Sequence, residues 1–420
     1  VLPSAGLAAG GFSTPADRSK IQLIPDFNRF REGSSNMDAR HKIVVAGAGG
    51  MGSAVGLLLR ELGDFEVDLW IGDVDLPRAK TAAAWIADGS KRPGAVEPFL
   101  MPETGSSPEL EKILDGGDAL LDCLPGAEAP RMARFARERH LHYANLTEYV
   151  SETDQVVEIA RGADTGFVVQ TGIAPGYVNI LGHGLFLDFC RDHGVSAVDS
   201  IEMRVGALTP HAPSPHCYGF TWSSIGVATE YVKPAIAVRD FATTRLPSLS
   251  ERRNLLLGGI VYEEALTSGG AADLPRALAG RVRNLDYKTL RYPGHYAWVE
   301  AQLAECPAGE DPAQFLHHRM LEQVPHNDGD DLVLVYAAVQ GKNSAGVLHR
   351  KEIAYRVGPK QIGARRLKAI QTTTTSALAE SVRLLLQPDG PRGVCFQSQI
   401  DRATFAAGPF IGAVYRGAEI

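Results

Sequence analysis

The sequence predicts an α/β fold: a doubly wound parallel sheet with an inserted mixed α/β domain. Three observations predict it. Residues 43–73 read strand, glycine-rich turn, helix, strand, acid. From 41 to about 171 strands and helices keep alternating. Past Pro175 that alternation stops and longer strands follow. Repeated βα alternation builds a parallel sheet with helices on both faces, and a change of pattern marks a second unit.

The first element is Ile43-Val44-Val45, which runs into Gly47-Ala48-Gly49-Gly50-Met51-Gly52, a helix over Ser53–Leu62, a strand over Val67–Ile71 and Asp73. Gly47 permits a tight turn, Gly49 lets backbone approach a pyrophosphate, and Gly52 lets helix and strand pack closely. With Gly50 and Met51 they open the helix, whose free N–H groups and positive end favour phosphate. This is the Rossmann dinucleotide fingerprint in full context. The competing reading, a glycine-rich turn that binds nothing, leaves Asp73 unexplained. A carboxylate there accepts hydrogen bonds from the adenosine ribose and repels a 2′-phosphate, so NAD is expected over NADP. The nearest cations, Arg78 and Lys80, lie where the next helix turns an exposed face to solvent.

Further elements follow in order: a helix around Arg78–Ile86, a short strand near Val96–Leu100, and a helix opened by Ser107-Pro108-Glu109, a cap, a proline and an early acid. Then come a strand at Ala119–Cys123, a helix at Ala127–Arg139, a strand at Leu141–Asn145, a helix at Thr153–Arg161 and a strand at Phe167–Gln170. Ligands lie beyond the carboxyl ends of such strands. That directs attention to loops 124–126 with Pro125, 146–149 with Glu148, and 171–176 with Pro175 and Gly176. After a helix from about Tyr177 to Phe189, strands are expected at Ser200–Val205, Asp331–Gln340 and Glu352–Val357, in an antiparallel sheet. A last helix is expected at Thr375–Leu386.

The domain boundaries expected are a disordered extension over 1–36, a Rossmann domain over 37–176, a substrate-binding and dimerisation domain over 177–365, and a segment over 366–420 that returns to the Rossmann domain. A chain of 420 residues exceeds one ordinary domain. Residues 1–36 are rich in Pro, Gly, Ala and Ser, lack the form of a secretory signal, and precede Met37, which reads as a natural start. The formal net charge of −7, with scattered basic residues, argues against nucleic acid. No apolar run is long enough to span a bilayer. Five widely spaced cysteines without a CxxC fit a reducing cytoplasm and give no zinc pattern.

A second constellation, Asp286-Tyr287-Lys288-Thr289-Leu290-Arg291-Tyr292-Pro293-Gly294-His295, gathers polar groups before an apolar stripe of Tyr296, Val299 and Leu303. Pro293 suits a first helical position, so Arg291 and Tyr292 would precede a helix N-terminus that favours an anion. Arginine grips a carboxylate bidentately. His295 in the first turn would be kept neutral and able to accept a proton. The same residues also fit a structural corner with solvated cations.

With these motifs the chain resembles the saccharopine dehydrogenase-like oxidoreductases. The resemblance rests on Gly47–Gly52, on Gly-Ile-Ala-Pro-Gly at 172–176 and on Tyr-Lys-Thr-Leu-Arg-Tyr-Pro-Gly-His at 287–295, and it covers about residues 41–390. Within the family the last motif is most similar to lysine 6-dehydrogenases. The resemblance implies an NAD(P)-dependent enzyme acting on a carbon–nitrogen bond of an amino-acid or polyamine-like substrate. It also implies a homodimer formed through the second domain. It gives Gly47, Gly49, Gly52 and Asp73 to the cofactor, and Pro175 and Gly176 to the loop near the nicotinamide. It gives Arg291, Tyr292 and His295 to the substrate side, with Glu230 and Tyr231 as further pocket candidates from the family-like stretch Phe220–Tyr231. The tail Gly393-Val394-Cys395-Phe396 departs from the acidic, proline-containing ending of lysine 6-dehydrogenases, and Leu146–Ser151 matches no one subfamily.

Amine oxidation needs a neutral amine and hence a base. His295 is the first candidate and Glu148 the second. Lys288 serves as base if buried, or as a carboxylate anchor beside Arg291, or is a solvated lysine on an edge strand. Cys123 reads as a buried structural thiol, since no histidine is placed to polarise it. His211, His216 and Cys217 lack a fourth spaced ligand, so no metal is expected. The rivals are saccharopine or carboxynorspermidine reduction of an imine, and a catalytically silent NAD-binding sensor.

Overall fold

The computed structural model describes residues 40–210, 212–325 and 329–420; the N-terminal stretch and His211 lie outside them. The first sheet holds seven strands, all parallel. They are β1 Arg40–Ala46, β2 Glu66–Asp73, β3 Val96–Leu100, β4 Ala119–Asp122, β5 His142–Asn145, β6 Gly166–Val168 and β17 Gly393–Cys395, in the order β17-β6-β5-β4-β1-β2-β3. Ile43, Val44 and Val45 are wholly buried, as helices on both faces of a parallel sheet require. The helix Gly50–Leu62 sinks Val55, Leu57 and Leu58 into that core.

A second helix, Ala369–Leu385, packs beside Gly50–Leu62 and begins well before the expected Thr375. Two features hid its start. Its first N–H groups are capped from outside: the Asp331 carboxylate accepts from Ala369 N (2.6 Å) and Ile370 N (2.8 Å). Thr373 and Thr375 then donate their hydroxyls to the carbonyls of Ala369 and Gln371, each at 2.6 Å, which shelters residues of poor helix propensity inside the turn.

The second sheet has eight strands: β7 Val198–Leu208, β8 Ala235–Arg239, β9 Ala242–Leu246, β10 Arg253–Leu257, β11 Ile260–Leu266, β12 Val282–Arg291, β13 Leu332–Lys342 and β14 Leu348–Val357. The main order is β10-β11-β12-β7-β13-β14, with β8 joining β12 to β9. The expectation of an antiparallel sheet needs correction, because β7 and β12 run parallel. The long intervening segment supplies the crossover that a parallel pair needs. A small hairpin, β15 Lys360–Ile362 with β16 Arg365–Leu367, precedes the long helix. Among the described residues no helix is long and apolar enough to cross a membrane.

Side chains alternate along β12, so Tyr287, Thr289 and Arg291 share one face and Asp286, Lys288 and Leu290 the other. The second face carries a charge network. Arg204 bridges Glu264 (2.6 Å) and Asp286 (2.7 Å), and Lys288 lies 3.5 Å from Glu264.

The chain passes from one sheet towards the other through Gly172–Gly176. Tyr177 N and Val178 N donate to the carbonyls of Gly172 and Ile173, which coils the loop onto the head of the helix Tyr177–His193. Gly176 sits at φ +138°, and a Cβ there would lie 2.0 Å from the Gly172 oxygen. Gly176→Ala is therefore expected to cost about 3 kcal/mol of stability or more, read from the urea midpoint; an unmoved midpoint would contradict this packing.

Candidate active site

The glycine-rich turn is shaped for a dinucleotide. Gly47 takes φ +98° and donates its N–H to the Gly72 carbonyl (2.8 Å), while a Cβ on it would meet Cys123 and Leu124 in the loop that leads to Pro125. A Cβ on Gly52 would lie 1.8 Å from the Gly47 oxygen, so only glycine brings helix and turn together. Above Gly49, the residue capping the helix Gly50–Leu62, the space is open, and Gln371 reaches the Gly50 carbonyl (3.4 Å) from the long C-terminal helix. Asp73 ends β2 with its carboxylate fixed by Ala48 N and Asp75 N, each at 3.0 Å. Arg78 stands 3.7 Å from it and is largely exposed. These residues fit a nicotinamide dinucleotide: open backbone at a helix start, and a fixed carboxylate for the ribose.

Beyond the turn lies a cleft of about 250 Å³ walled by both sheets. Met51, Leu146, Glu148 and residues 172–175 come from the first side. Val205, Ala207, Tyr287, Thr289 and Arg291 come from the second sheet, and Trp222, Ser223 and Glu230 from the segment around the helix Ser224–Val232. Ile370 and Thr374 arrive on the C-terminal helix. Burial pushes Glu148 up to about 7, opposed by Lys233. It pushes Glu230 up to about 8, against the pull of Arg291 and with help from Glu148. The two carboxyls act on each other, Glu230 with Arg291 as its cation and Glu148 with Lys233, so they titrate as a coupled pair.

Arg291 is 1 % exposed and well partnered. Its Nε donates to the Tyr231 hydroxyl (2.6 Å), Nη1 to the Leu290 carbonyl (3.0 Å) and Nη2 to Glu230 (2.9 Å), with the Tyr218 ring 4.9 Å from the guanidinium. Tyr231 in turn donates to Nε2 of His295 (3.0 Å), because the other ring nitrogen gives its proton to the His216 carbonyl (2.7 Å). Burial, then Arg291, lowers His295 to about 3, so the ring is neutral.

The sequence-predicted residues separate accordingly. Gly47, Gly49, Gly50, Gly52 and Asp73 share the dinucleotide turn. Met51, Pro175, Glu148, Glu230 and Arg291 line the cleft, and Tyr231 stands directly behind Arg291. His295 does not reach the cleft: it is wholly buried beyond Tyr231, to which it is hydrogen-bonded. Its helix runs His295–Ala304, so Pro293 precedes the helix and Gly294, at φ +102°, caps it. Lys288 is neither in the cleft nor solvated. It is 3 % exposed, on an interior strand, and points to the opposite face, where it donates to the Glu251 carbonyl (2.7 Å). Tyr292 also leaves the cleft, packing on Tyr262 and donating to the Thr209 carbonyl (3.1 Å). Burial raises the Cys123 thiol, which keeps it protonated. Among the described residues no group of three or more His, Cys, Asp or Glu side chains is placed to hold a metal ion.

Sequence reasoning passed over Trp222, Tyr287, Thr289, Ile370 and Thr374. Tyr287 and Thr289 were within reach, since they alternate with Arg291 on one strand face. Ile370 and Thr374 carried no local signal.

Two family models match the chain: "Saccharopine dehydrogenase NADP binding domain" over residues 43–169 and "Saccharopine dehydrogenase C-terminal domain" over 172–414. Among solved structures, the chain is similar to apo saccharopine dehydrogenase (L-Glu forming) from Saccharomyces cerevisiae, with a TM-score of 0.67 and 14 % identity, covering 87 % of this chain and 96 % of that one. It is also similar to the homospermidine synthase of Legionella pneumophila in complex with NAD, with a TM-score of 0.63 and 14 % identity, covering 90 % and 92 %. At such identities these two likenesses show a shared fold.

The raised Glu148 gives a test of the cleft. Its carboxyl titrates near 4.5 when exposed and about 7 in the fold, so the folded state binds more protons between those values. Stability must then fall as pH rises through that window. Glu148→Gln is expected to match the wild type near pH 4 and to exceed it at pH 8 by on the order of 2–3 kcal/mol. Denaturant titrations that show the same gap at both pH values would remove Glu148 from the buried, proton-holding role.

Proposed function

The chain belongs to the saccharopine dehydrogenase family of oxidoreductases, and from that premise we propose an NAD-dependent dehydrogenase acting on a carbon–nitrogen bond of an amino-acid substrate, similar to lysine 6-dehydrogenase. The observation that carries this reading is the pair Glu148 and Glu230 beside Arg291, in the cleft that Pro175 and Met51 share with the dinucleotide turn. Glu148 is the proposed base. With a carboxyl near 7 it takes a proton from the ammonium at neutral to alkaline pH, as removal of hydride from the adjoining carbon requires. A bound nicotinamide supplies the hydride acceptor. Ile173, Ala174 and Pro175 close one wall and keep water out; Arg291, held by Glu230 and Tyr231, offers the rest of its fork to a carboxylate.

A second reading, reduction of an imine of the saccharopine or carboxynorspermidine type, runs the proton the other way. Glu148 favours it to the extent that a carboxyl near 7 also holds a proton to give. The preference for NAD over NADP is supported by Asp73, whose fixed carboxylate ends β2; Arg78, loosely placed and exposed, is a nearby cation that would favour a phosphate.

Purified protein with NAD and L-lysine at alkaline pH is expected to build up the absorbance of reduced nicotinamide, and Glu148→Gln to slow it about a hundredfold or more. No turnover with lysine, or with amine–carbonyl pairs and reduced cofactor, would reject the dehydrogenase reading in favour of a silent NAD-binding sensor. Asp73→Ala is expected to weaken NAD binding about tenfold while leaving NADP binding nearly unaltered; equal losses would take Asp73 out of the ribose role.

A further inference from the structure

Glu148 and the wall formed by Ile173, Ala174 and Pro175 face one cleft from two different loops. Glu148 follows shortly after Asn145, the last residue of β5; the wall follows β6, the neighbouring strand. The last residues paired between these strands are Ala144 and Val168, so beyond them the sheet does not set how far apart the loops stand. Asn145 makes the connection. It is wholly buried, and its side-chain oxygen accepts from the Gln170 N–H (2.8 Å). Its backbone carbonyl accepts from the Thr171 N–H (2.8 Å) and from the Thr171 hydroxyl (2.7 Å).

The backbone there needs such a grip. Gln170 sits at φ +60°, a left-handed conformation that side chains rarely adopt and that persists only where the surroundings impose it. From the other side Gln397, also buried, donates to the carbonyls of Gln170 (3.0 Å) and Val169. Asn145 is itself oriented. Its Nδ2 donates to the Tyr143 hydroxyl (3.3 Å), which donates to one oxygen of Asp122 (2.8 Å), while the other accepts the Leu124 N–H (3.0 Å). Asp122, Tyr143 and Thr171 are buried too, so bulk water does not compete for these bonds. The ladder crosses the carboxyl ends of β4, β5 and β6, and Asn145 is its middle rung.

We propose that Asn145 is a positioning residue of this active site: it does not line the cleft, and it sets the spacing between Glu148 and the wall of Ile173, Ala174 and Pro175, across which the reacting carbon–nitrogen bond must lie. The chemistry at stake rests on the dehydrogenase reading; the coupling of the two loops does not. Rate depends steeply on how reacting groups are aligned. A slackened Gln170–Thr171 corner therefore slows turnover, while the dinucleotide turn, which belongs to β1 and the helix Gly50–Leu62, keeps its hold on NAD.

The test compares three variants of the full chain by turnover, NAD titration and amide hydrogen exchange. Asn145→Ala is expected to lower kcat about tenfold or more, with NAD affinity nearly unaltered. Exchange should quicken together in residues 146–149 and 170–176 and stay unchanged in 47–52. Thr171→Val keeps the volume and loses one bond, so it shifts the same readouts by less, and it decides the matter if Asn145→Ala does not fold. Leu114→Ala opens a cavity just before β4, at the opposite end of the sheet, and controls for lost stability alone. It is expected to leave kcat and both loops as in the wild type. Equal losses of kcat in Asn145→Ala and Leu114→Ala, or exchange quickened in one loop only, overturn the positioning role even if amines are oxidised. Two loops that loosen together in Asn145→Ala, with no amine or imine turned over by the wild type, uphold the coupling and defeat the dehydrogenase reading instead.

Discussion

Arg291 carries a charge that burial penalises and that no accessible pH removes, so its surroundings must supply what water would. Glu230 gives a carboxylate, the Leu290 carbonyl an acceptor, Tyr231 a hydroxyl and Tyr218 an aromatic face. Each of these is constrained in turn. The Tyr231 hydroxyl must accept from Arg291 and so sends its own proton to His295, which has to stay neutral to receive it. The His216 carbonyl fixes the tautomer that makes this possible. Donor and acceptor thus run in one direction from the cleft into the core, and His295 holds the guanidinium in place through Tyr231.

The same charge sets the character of the cleft. It pairs with one carboxyl, Glu230, while Glu148, with only Lys233 to oppose its burial, sits where ionisation is costly. The walls of the site are built from segments far apart in the chain: the Gly172–Gly176 loop, β12 and the helix Ala369–Leu385. That helix depends on Asp331 for its first turn, and the strand beyond it, β17, lies beside β6 at the end of the parallel sheet. The last part of the chain therefore helps to build both the sheet and the cleft.

On its other face the second sheet solves a different problem. Arg204, Glu264, Asp286 and Lys288 are buried together in a network whose charges answer one another, so removal of one partner would leave another uncompensated. One strand, β12, serves both faces by alternation: Lys288 works in the network and Arg291 in the cleft. Residues adjacent in a polar motif are thereby given to opposite sides of a sheet.

The parallel sheet, the glycine turn and Asp73 were legible because their causes are local. The φ of Gly47, the close contact at Gly52 and the alternation of strand and helix are all set within a few residues. The pocket residues Glu148, Pro175 and Arg291 could be named because loops at strand ends and a dense polar motif mark themselves. What the sequence could not disclose were properties set by distant partners. The depth that removes His295 from the cleft, the parallel pairing of β7 with β12, the start of the helix at Ala369 and the raised carboxyl of Glu148 each depend on a group many residues away. Local propensity and pattern determined the elements and the cofactor turn. Only the tertiary structure decided which polar side chains meet water, which meet each other, and which are left to meet a substrate, because burial and partnership are properties of space that no short stretch of chain contains.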